Sequence, residues 1–530
     1  MNRLFFGDNL PILRERVGDE TVDLIYLDPP FNSNATYNVL FKSPAGEKSA
    51  AQIEAFDDTW HWNDSAARAF DEAVCGRNSD VSELLRALRA FLKEGDMLAY
   101  VSMLAVRLLE LHRALKPTGS LYLHCDPVAS HYLKLVLDAV FGRGAMLNEV
   151  IWQRTNAKGL ASRRFARNHD IILSYHKSDK WTWNAGYLPH DLGYVEDFYR
   201  FKDADGRQYR LGDLTNPNKD RPNLTYEFLG VTRVWRWTRD RMQKAYEGGL
   251  VVQTSPGAVP ALKRYLDEQE GTPIGDVWTD IRPVQSGSRE ALGYPTQKPM
   301  ALLERILSAS SNEGDLVLDP FCGCGTTVHA AEKLKRNWIG IDITHLAVSL
   351  IRRRLIDAFP QCQFDVLGAP KDIGGARQLA ENDKHQFQLW ALSLVEAQPF
   401  KGGRKGADGG VDGYLYFKPD GKTTEKAIVS VKGGGNVGVS IVRDLIATVE
   451  REGAKIGVFL TLQDPTTRMR TEATTAGFYE SPLHGKFARI QILTVEDILN
   501  GAKPHLPWID SSVFRKAKRE NTTPQGNLDL

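Results

Sequence analysis

The chain has 530 residues, 42% hydrophobic and 25% charged, which fits several globular domains and excludes a largely disordered chain, a collagen-like fibre or a disulfide miniprotein. Lysine and arginine total 67 against 66 aspartate and glutamate, so the net charge of +1 says nothing about partners and any nucleic-acid footprint must be local. Five cysteines, at 75, 125, 322, 324 and 362, fit neither a disulfide framework nor a four-ligand zinc site, and point to a reducing cytoplasmic setting.

The opening residues, MNRLFFGDNLPILRERVGDE, carry charge too early for a signal peptide, and no apolar run approaches the roughly 20 residues that cross a bilayer. No membrane partner is therefore expected. Residues 3–6 predict a short strand, GDN at 7–9 a turn, and 10–17 a helix. VDLIYL at 22–27 is an apolar run of strand length, the pattern of a buried parallel strand. Residues 32–80, rich in Asn, Ser, Asp and Ala with two Trp, predict a long functional loop. A helix over 97–116 closed by Pro117 and Gly119, a strand at 120–125, a helix at 131–141 and strands at 148–152 and 170–176 continue an α/β sheet of crossover units.

Residues 153–290 break this pattern. Between 151 and 245 there are 18 Lys and Arg against 11 Asp and Glu, interleaved with aromatics as in TRVWRWTRDR. Two readings stand: a loop-rich insertion with solvated charges, or a surface where cations meet phosphate and rings stack on bases. The α/β pattern resumes with a helix at 298–311, a strand at 315–319, a helix at 326–335, a strand at 338–342 and a helix at 345–359. Residues 361–375 read as a linker, 376–500 as a further α/β block and 501–530 as a polar tail.

Three motifs carry chemistry. DPFCGCGTT at 319–327 follows a strand and opens a helix, so Gly323 and Gly325 let the backbone turn tightly and approach a ligand, and Asp342, ending the next strand, suits a ribose diol. DPPF at 28–31 also ends a strand, at the sheet edge where α/β folds bind ligands, and its prolines stiffen the backbone around a carboxylate. YPTQKP at 294–299 precedes the helix leading into the glycine-rich strand. Each alone has a bland explanation: a strand-ending turn for DPPF and Asp342, and a proline-bounded helix entry for TQKP.

Together and in this order they resemble the β-class amino DNA methyltransferases, over about residues 1–360. Protein glutamine methyltransferases carry NPPY after the glycine motif, so the order argues against them. The resemblance implies a Rossmann-like S-adenosylmethionine-dependent methyltransferase sheet with circularly permuted motif order. It divides the chain into a catalytic part (1–152), an inserted target recognition region (153–290) and a cofactor-binding part (291–360). It implies Asp28, Pro29, Pro30 and Phe31 as the catalytic motif, with Phe31 stacking on a flipped base. Phe321, Gly323 and Gly325 would line the methionine part of the cofactor, with Asp319 and Thr326 in the same motif. Asp342 would take the ribose and Asp8 the adenine edge. Thr296 and Lys298 stand where the family contacts the methionine carboxylate, although Lys298 also reads as a surface lysine. The substrate implied is double-stranded DNA, and a homodimer is a further partner expected from the class. DPPF goes mainly with adenine N6; cytosine N4 is the alternative.

In the third block, GGRKGADGGVDGYLYFKPDGKTTEKAIVSVKGG at 402–434 reads as two strands joined by a hairpin. It resembles Mrr-like restriction endonuclease domains, with Asp408, Asp412 and Lys432 at the nuclease positions and Mg²⁺ expected at Asp412. Ser430 stands where Glu or Gln is usual, which weakens metal binding. Three activities remain open: a DNA adenine methyltransferase with an accessory third domain, a single-chain restriction–modification enzyme that also cuts, and a non-enzymatic DNA-binding protein on the same fold.

Overall fold

The computed structural model describes residues 2–30, 36–42, 48–57, 61–156, 165–285, 288, 290–292, 294, 296–400, 410–420, 423–435, 437–509 and 519–520. Its centre is a nine-stranded sheet. In chain order the strands are β1 (Asn2–Phe6), β2 (Val22–Leu27), β3 (Leu115–Cys125), β4 (Met146–Trp152), β5 (Asp170–His176), β6 (Val277–Trp278), β7 (Leu316–Asp319), β8 (Asn337–Asp342) and β9 (Phe364–Leu367). Across the sheet they run β6-β4-β5-β3-β2-β7-β8-β1-β9. All adjacent pairs are parallel except those made by β5, which is antiparallel to both β3 and β4. This is the mixed α/β architecture expected from the sequence, and its strand order reverses between β2 and β7, where open α/β sheets bind ligands.

The apolar runs explain the strands. Leu24, Ile25 and Leu27 of β2 and Leu318 of β7 are fully buried, covered on both faces. The helices α1 (Asn9–Arg16), α2 (Asp64–Cys75), α3 (Ser79–Leu92), α4 (Asp96–Ala114) and α5 (Ser130–Phe141) accompany the first half of the sheet. The second half carries α6 (Met300–Ser310), α7 (Thr326–Lys333) and α8 (His345–Ala358).

The long loop expected at 32–80 is instead largely structured. Thr36–Lys42 and Lys48–Asp57 form a two-stranded hairpin, and α2 and α3 follow. Two of the Asn that suggested a loop are helix caps here: Asn63 and Asn78 accept from the first-turn N–H groups of α2 and α3. Ala66, Ala69, Phe70 and Ala73 then bury one stripe of α2. The stretch 361–375, expected as a linker, contributes the edge strand β9, which pairs with β1.

Residues Ala185–Gly275 form a separate compact unit, inside the span 153–290 expected as an insertion; the flanks of that span supply β5 and β6 to the main sheet. The unit holds a four-stranded antiparallel sheet and a small core around Phe228, Trp235 and Met242. Some of its cations are spent internally: Arg207 lies 3.8 Å from the Tyr265 ring centre and pairs with Asp267, and Arg241 covers Trp237 at 4.3 Å.

The C-terminal block begins with α9 (Ile373–Asn382) and α10 (Lys384–Leu394). Its own sheet runs β10 (Gln398–Pro399), β11 (Gly413–Lys418), β12 (Glu425–Lys432), β13 (Ile456–Thr461) and β14 (Ile490–Thr494), and β15 (Trp508–Ile509), from the expected tail, pairs with β11.

Candidate active site

At the carboxyl ends of β1, β2, β7 and β8 lies a cavity of about 270 Å³. Asp8, Asp28, Pro29, Pro30, Thr296, Lys298, Asp319, Phe321, Gly323, Thr326 and Asp342 all line it. The early Asp-Pro-Pro and the late glycine turn thus meet in one crevice because β2 and β7 are neighbours. Phe31 lies outside the described residues. Gly325 does not reach the cavity: it caps α7 with φ of +75°, and a Cβ there would come within 2.7 Å of Ile351. Its role is packing against α8, whereas Gly323, at φ of +49°, turns the backbone within the cavity wall.

The Asp28 carboxylate is asymmetric. Lys298 Nζ pairs with Oδ2, while the buried Oδ1 has no hydrogen-bond partner among the described residues. Such an orphaned acceptor is costly in a folded protein and marks a place for a donor from a ligand. Lys298, expected at the methionine carboxylate, is here the counter-ion of Asp28.

Asp342 braces the glycine turn. Its Oδ2 accepts from the Gly323 N–H at 2.9 Å and its Oδ1 from the Thr344 N–H and hydroxyl, both at 2.9 Å. Burial pushes its carboxyl up to about 6, against those hydrogen bonds. Asp319, also buried, is pushed up to about 7, although it accepts from the Phe321 N–H at 3.0 Å.

Sequence reasoning missed two residues at the other end of the cavity. Arg107 of α4 donates to Asp8 Oδ1 at 2.8 Å and to Asn9 Oδ1 at 2.5 Å. Asn9 in turn donates to the Pro320 carbonyl at 2.8 Å, tying the first loop to the glycine loop. The only signal was one arginine in the largely apolar MLAYVSMLAVRLLELH. Asp8 also caps α1 through the Leu10 N–H at 3.1 Å. Behind the glycine turn, buried Arg354 donates to the Cys324 carbonyl and to Thr326 Oγ1 at 3.0 and 3.1 Å. The cavity offers carboxylates at both ends, a glycine turn between them and, in its wall, a buried carboxylate oxygen with no hydrogen-bond partner among the described residues. These features fit a nucleoside bearing a cationic tail.

In the C-terminal block, Asp408 lies outside the described residues. Asp412 is buried, and Lys432 is exposed at the end of β12. Asp412 Oδ2 accepts from the Val431 N–H at 2.6 Å and the Ser430 hydroxyl at 3.3 Å, and Oδ1 takes the Gln388 amide of α10. No group of three or more metal-ligating side chains occurs among the described residues. The Asp412 carboxylate, already holding three protein donors, does not fit Mg²⁺, which is bound through free carboxylate oxygens and water.

A DNA methylase family model matches residues 22–353, and a restriction endonuclease family model matches residues 379–479. The chain is 28% identical over 392 residues to the type II methyltransferase M.EcaI of Enterobacter cloacae, covering 73% of this chain and 76% of that one. It is 26% identical over 350 residues to the Mod subunit of the type III restriction-modification enzyme StyLTI of Salmonella typhimurium, covering 63% of this chain and half of that subunit. Among solved structures, the cytosine-N4-specific PvuII DNA methyltransferase aligns with a TM-score of 0.30 and 14% identity, over 66% of this chain and 86% of its own.

Proposed function

Since the chain belongs to the family of N6/N4 DNA methylases, whose model matches residues 22–353, we propose that it methylates the exocyclic N6 of a flipped adenine in double-stranded DNA, using S-adenosylmethionine. The observation that carries this reading is the bare, buried Oδ1 of Asp28 in the cavity that also holds the glycine turn.

An exocyclic amine is a poor nucleophile because its lone pair is delocalised into the ring, and it is reached only once the base leaves the stack. Asp28 Oδ1 accepts one amino hydrogen, and the Pro29 carbonyl accepts the other. The nitrogen is thereby drawn towards tetrahedral geometry, with its lone pair aimed along the transfer axis. S-adenosylmethionine, when bound, supplies an electrophilic methyl group. Asp342 and Asp8 hold its ribose and adenine ends, and Phe321 with Gly323 flanks the methionine portion. Asp28 need not be a strong base, since an alkylated cationic nitrogen releases its proton readily; Lys298 keeps the carboxylate oriented.

Asp28 and DPPF favour adenine; cytosine N4 is the second reading, because the same grip serves either amine. A direct test incubates the protein with labelled S-adenosylmethionine and DNA, then separates the methylated nucleosides. Label in N6-methyladenosine, lost in Asp28→Ala with cofactor binding retained, is the expected result. Label in N4-methylcytosine shifts the base assignment, and undiminished transfer by Asp28→Ala ends the mechanism.

A further inference from the structure

A row of polar side chains runs behind the glycine turn and ends on the C-terminal tail. Arg354 of α8 holds the Cys324 carbonyl and Thr326 Oγ1, and it also donates from Nε to His329 Nδ1 at 3.0 Å. Thr326 Oγ1 in turn donates to the Lys298 carbonyl at 3.3 Å. One guanidinium thus braces both the glycine turn and the loop that carries the Asp28 counter-ion. Arg354 and His329 are buried. His329 and Lys333 lie four residues apart on α7 and share a face. Glu520, beyond the C-terminal block in sequence, sits over that face. Its Oε1 is 3.6 Å from His329 Nε2, and its Oε2 is 3.9 Å from Lys333 Nζ. The Glu520 N–H also donates at 3.0 Å to the carbonyl of Ala358, the last residue of α8, and so serves one of the carbonyls that a helix end leaves open.

The geometry fixes the state of the histidine. A guanidinium only donates, so His329 Nδ1 accepts from Arg354. A ring protonated on both nitrogens could not accept, so His329 is neutral and carries its hydrogen on Nε2. Burial pushes its pKa down in the same sense, and Glu520 opposes this. The buried Nε2 has no hydrogen-bond partner among the described residues, and the Glu520 carboxylate stands just beyond hydrogen-bond length in front of it. A donor left in this way costs free energy that a slight approach of the tail removes. The tail is also held at two places: β15 pairs with β11 of the C-terminal block, and Glu520 lies on α7 and α8.

We infer that the C-terminal tail is an intramolecular latch, in which Glu520 is a positioning residue for the glycine turn and acts on it through His329 and Arg354. The docking of Glu520 stands on its own contacts; the turn's role in holding S-adenosylmethionine rests on the methyl-transfer reading. With the latch closed, the His329 ring is held between the Glu520 carboxylate and the Arg354 guanidinium. Arg354 then keeps the Cys324 carbonyl and Thr326 in one place, and the turn meets its ligand already ordered. Ordering done before binding is not charged against affinity. With Glu520 removed, the ring is fixed from one side only, and the turn must be ordered by the ligand itself.

The test uses point variants of the full chain. Hydrogen exchange read by mass spectrometry reports on the latch without any ligand. Glu520→Ala is expected to speed exchange of the 321–329 amides about threefold to tenfold and to leave the β2 amides at 22–27 unchanged. Calorimetric titration should show the Kd for S-adenosylmethionine raised about threefold to fivefold. In methylation kinetics its KM should rise by the same factor, with kcat at saturation within about twofold. Arg519→Ala, at the exposed neighbouring residue, should match the wild type in exchange and Kd. Unchanged exchange at 321–329 in Glu520→Ala, an equal change in Arg519→Ala, or faster exchange with an unaltered Kd overturns the inference. The route is tested in a His329→Phe background, where Glu520→Ala should add less than about 1.5-fold to the Kd. The full effect persisting there overturns the path through His329. If His329→Phe does not fold, the Glu520→Ala exchange and Kd measurements decide by the same outcomes. A wild type that binds no S-adenosylmethionine would refute the methyl-transfer reading, while the exchange data still decide whether Glu520 holds the turn.

Discussion

Lys298 and Asp28 are 270 positions apart in the chain, yet their side chains form an ion pair at the cavity through Oδ2 of Asp28, while its buried Oδ1 has no hydrogen-bond partner among the described residues. Both are largely buried, with side-chain exposures of 11% and 18%, so the pair is poorly screened and fixes the carboxylate's orientation. Lys298→Met is expected to reduce kcat by roughly tenfold to a hundredfold, with S-adenosylmethionine affinity changed less than threefold. Single-turnover methylation and calorimetric titration separate the two effects. If affinity collapses while kcat persists, Lys298 serves the methionine carboxylate, as the sequence resemblance implies.

Two carboxyls make cofactor binding pH-dependent. Asp342 is pushed up to about 6 and Asp319 to about 7 by burial. A ribose diol donates hydrogen bonds and so favours ionised Asp342. Affinity for S-adenosylmethionine is therefore expected to fall as pH drops through about 6, and Asp342→Asn should flatten that dependence. Stability runs the other way. A raised acid pKa means the folded state holds protons that the unfolded chain has released, so this contribution is present near pH 4 and is lost as pH climbs to between 6 and 7. The unliganded melting temperature of Asp319→Asn should accordingly vary less between pH 5 and pH 8 than that of the wild type. Equal slopes by scanning calorimetry would contradict the assigned burial effect.

Arg107 anchors the Asp8 end of the cavity. Its guanidinium serves Asp8 and Asn9 together, and Asn9 passes the contact to Pro320. Burial lowers its pKa, and Asp8 counters this. Arg107→Met leaves the Asn9 carbonyl oxygen without this donor and frees Asp8, a cost of about 1–3 kcal/mol. A roughly tenfold loss of S-adenosylmethionine affinity is expected, with kcat at saturation within about threefold. Arg107→Lys should not restore it, since one ammonium cannot reproduce the guanidinium fork. Unaltered affinity in Arg107→Met would remove Arg107 from the site.

The parts legible in the sequence were those written locally. VDLIYL, DLVLD and WIGID are apolar runs of strand length, and each is a buried parallel strand with a cavity-lining aspartate at or just beyond its end. The meeting of Asp28 with Gly323 followed from motif order. What escaped depended on partners distant in sequence. The partner of Lys298 lies 270 positions away in the chain. Arg107 resembles any single arginine on an apolar helix until Asp8 and Asn9 are placed beside it. The helices α2 and α3 were obscured because their Asn caps and small alanine stripe mimic loop composition.

The C-terminal block has a restriction endonuclease match, but its described site argues against metal-dependent cutting. Asp412 is enclosed by the Val431 N–H, the Ser430 hydroxyl and the Gln388 amide, and Ser430 brings no carboxylate to the position where one is usual. Replacing these donors with Mg²⁺ would strip a buried carboxylate of three hydrogen bonds. Supercoiled plasmid incubated with the full chain and Mg²⁺ is therefore expected to stay uncut, whether or not it is methylated. Asp412→Ala should leave methyl transfer within about twofold while destabilising this block, since it leaves Gln388 and Ser430 without their shared acceptor. Mg²⁺-dependent cleavage that disappears in Asp412→Ala would make the chain a single-chain restriction–modification enzyme. Gln388 separates the two cases further. If its amide only satisfies Asp412, Gln388→Leu lowers stability alone, whereas a working nuclease would lose cutting with stability kept.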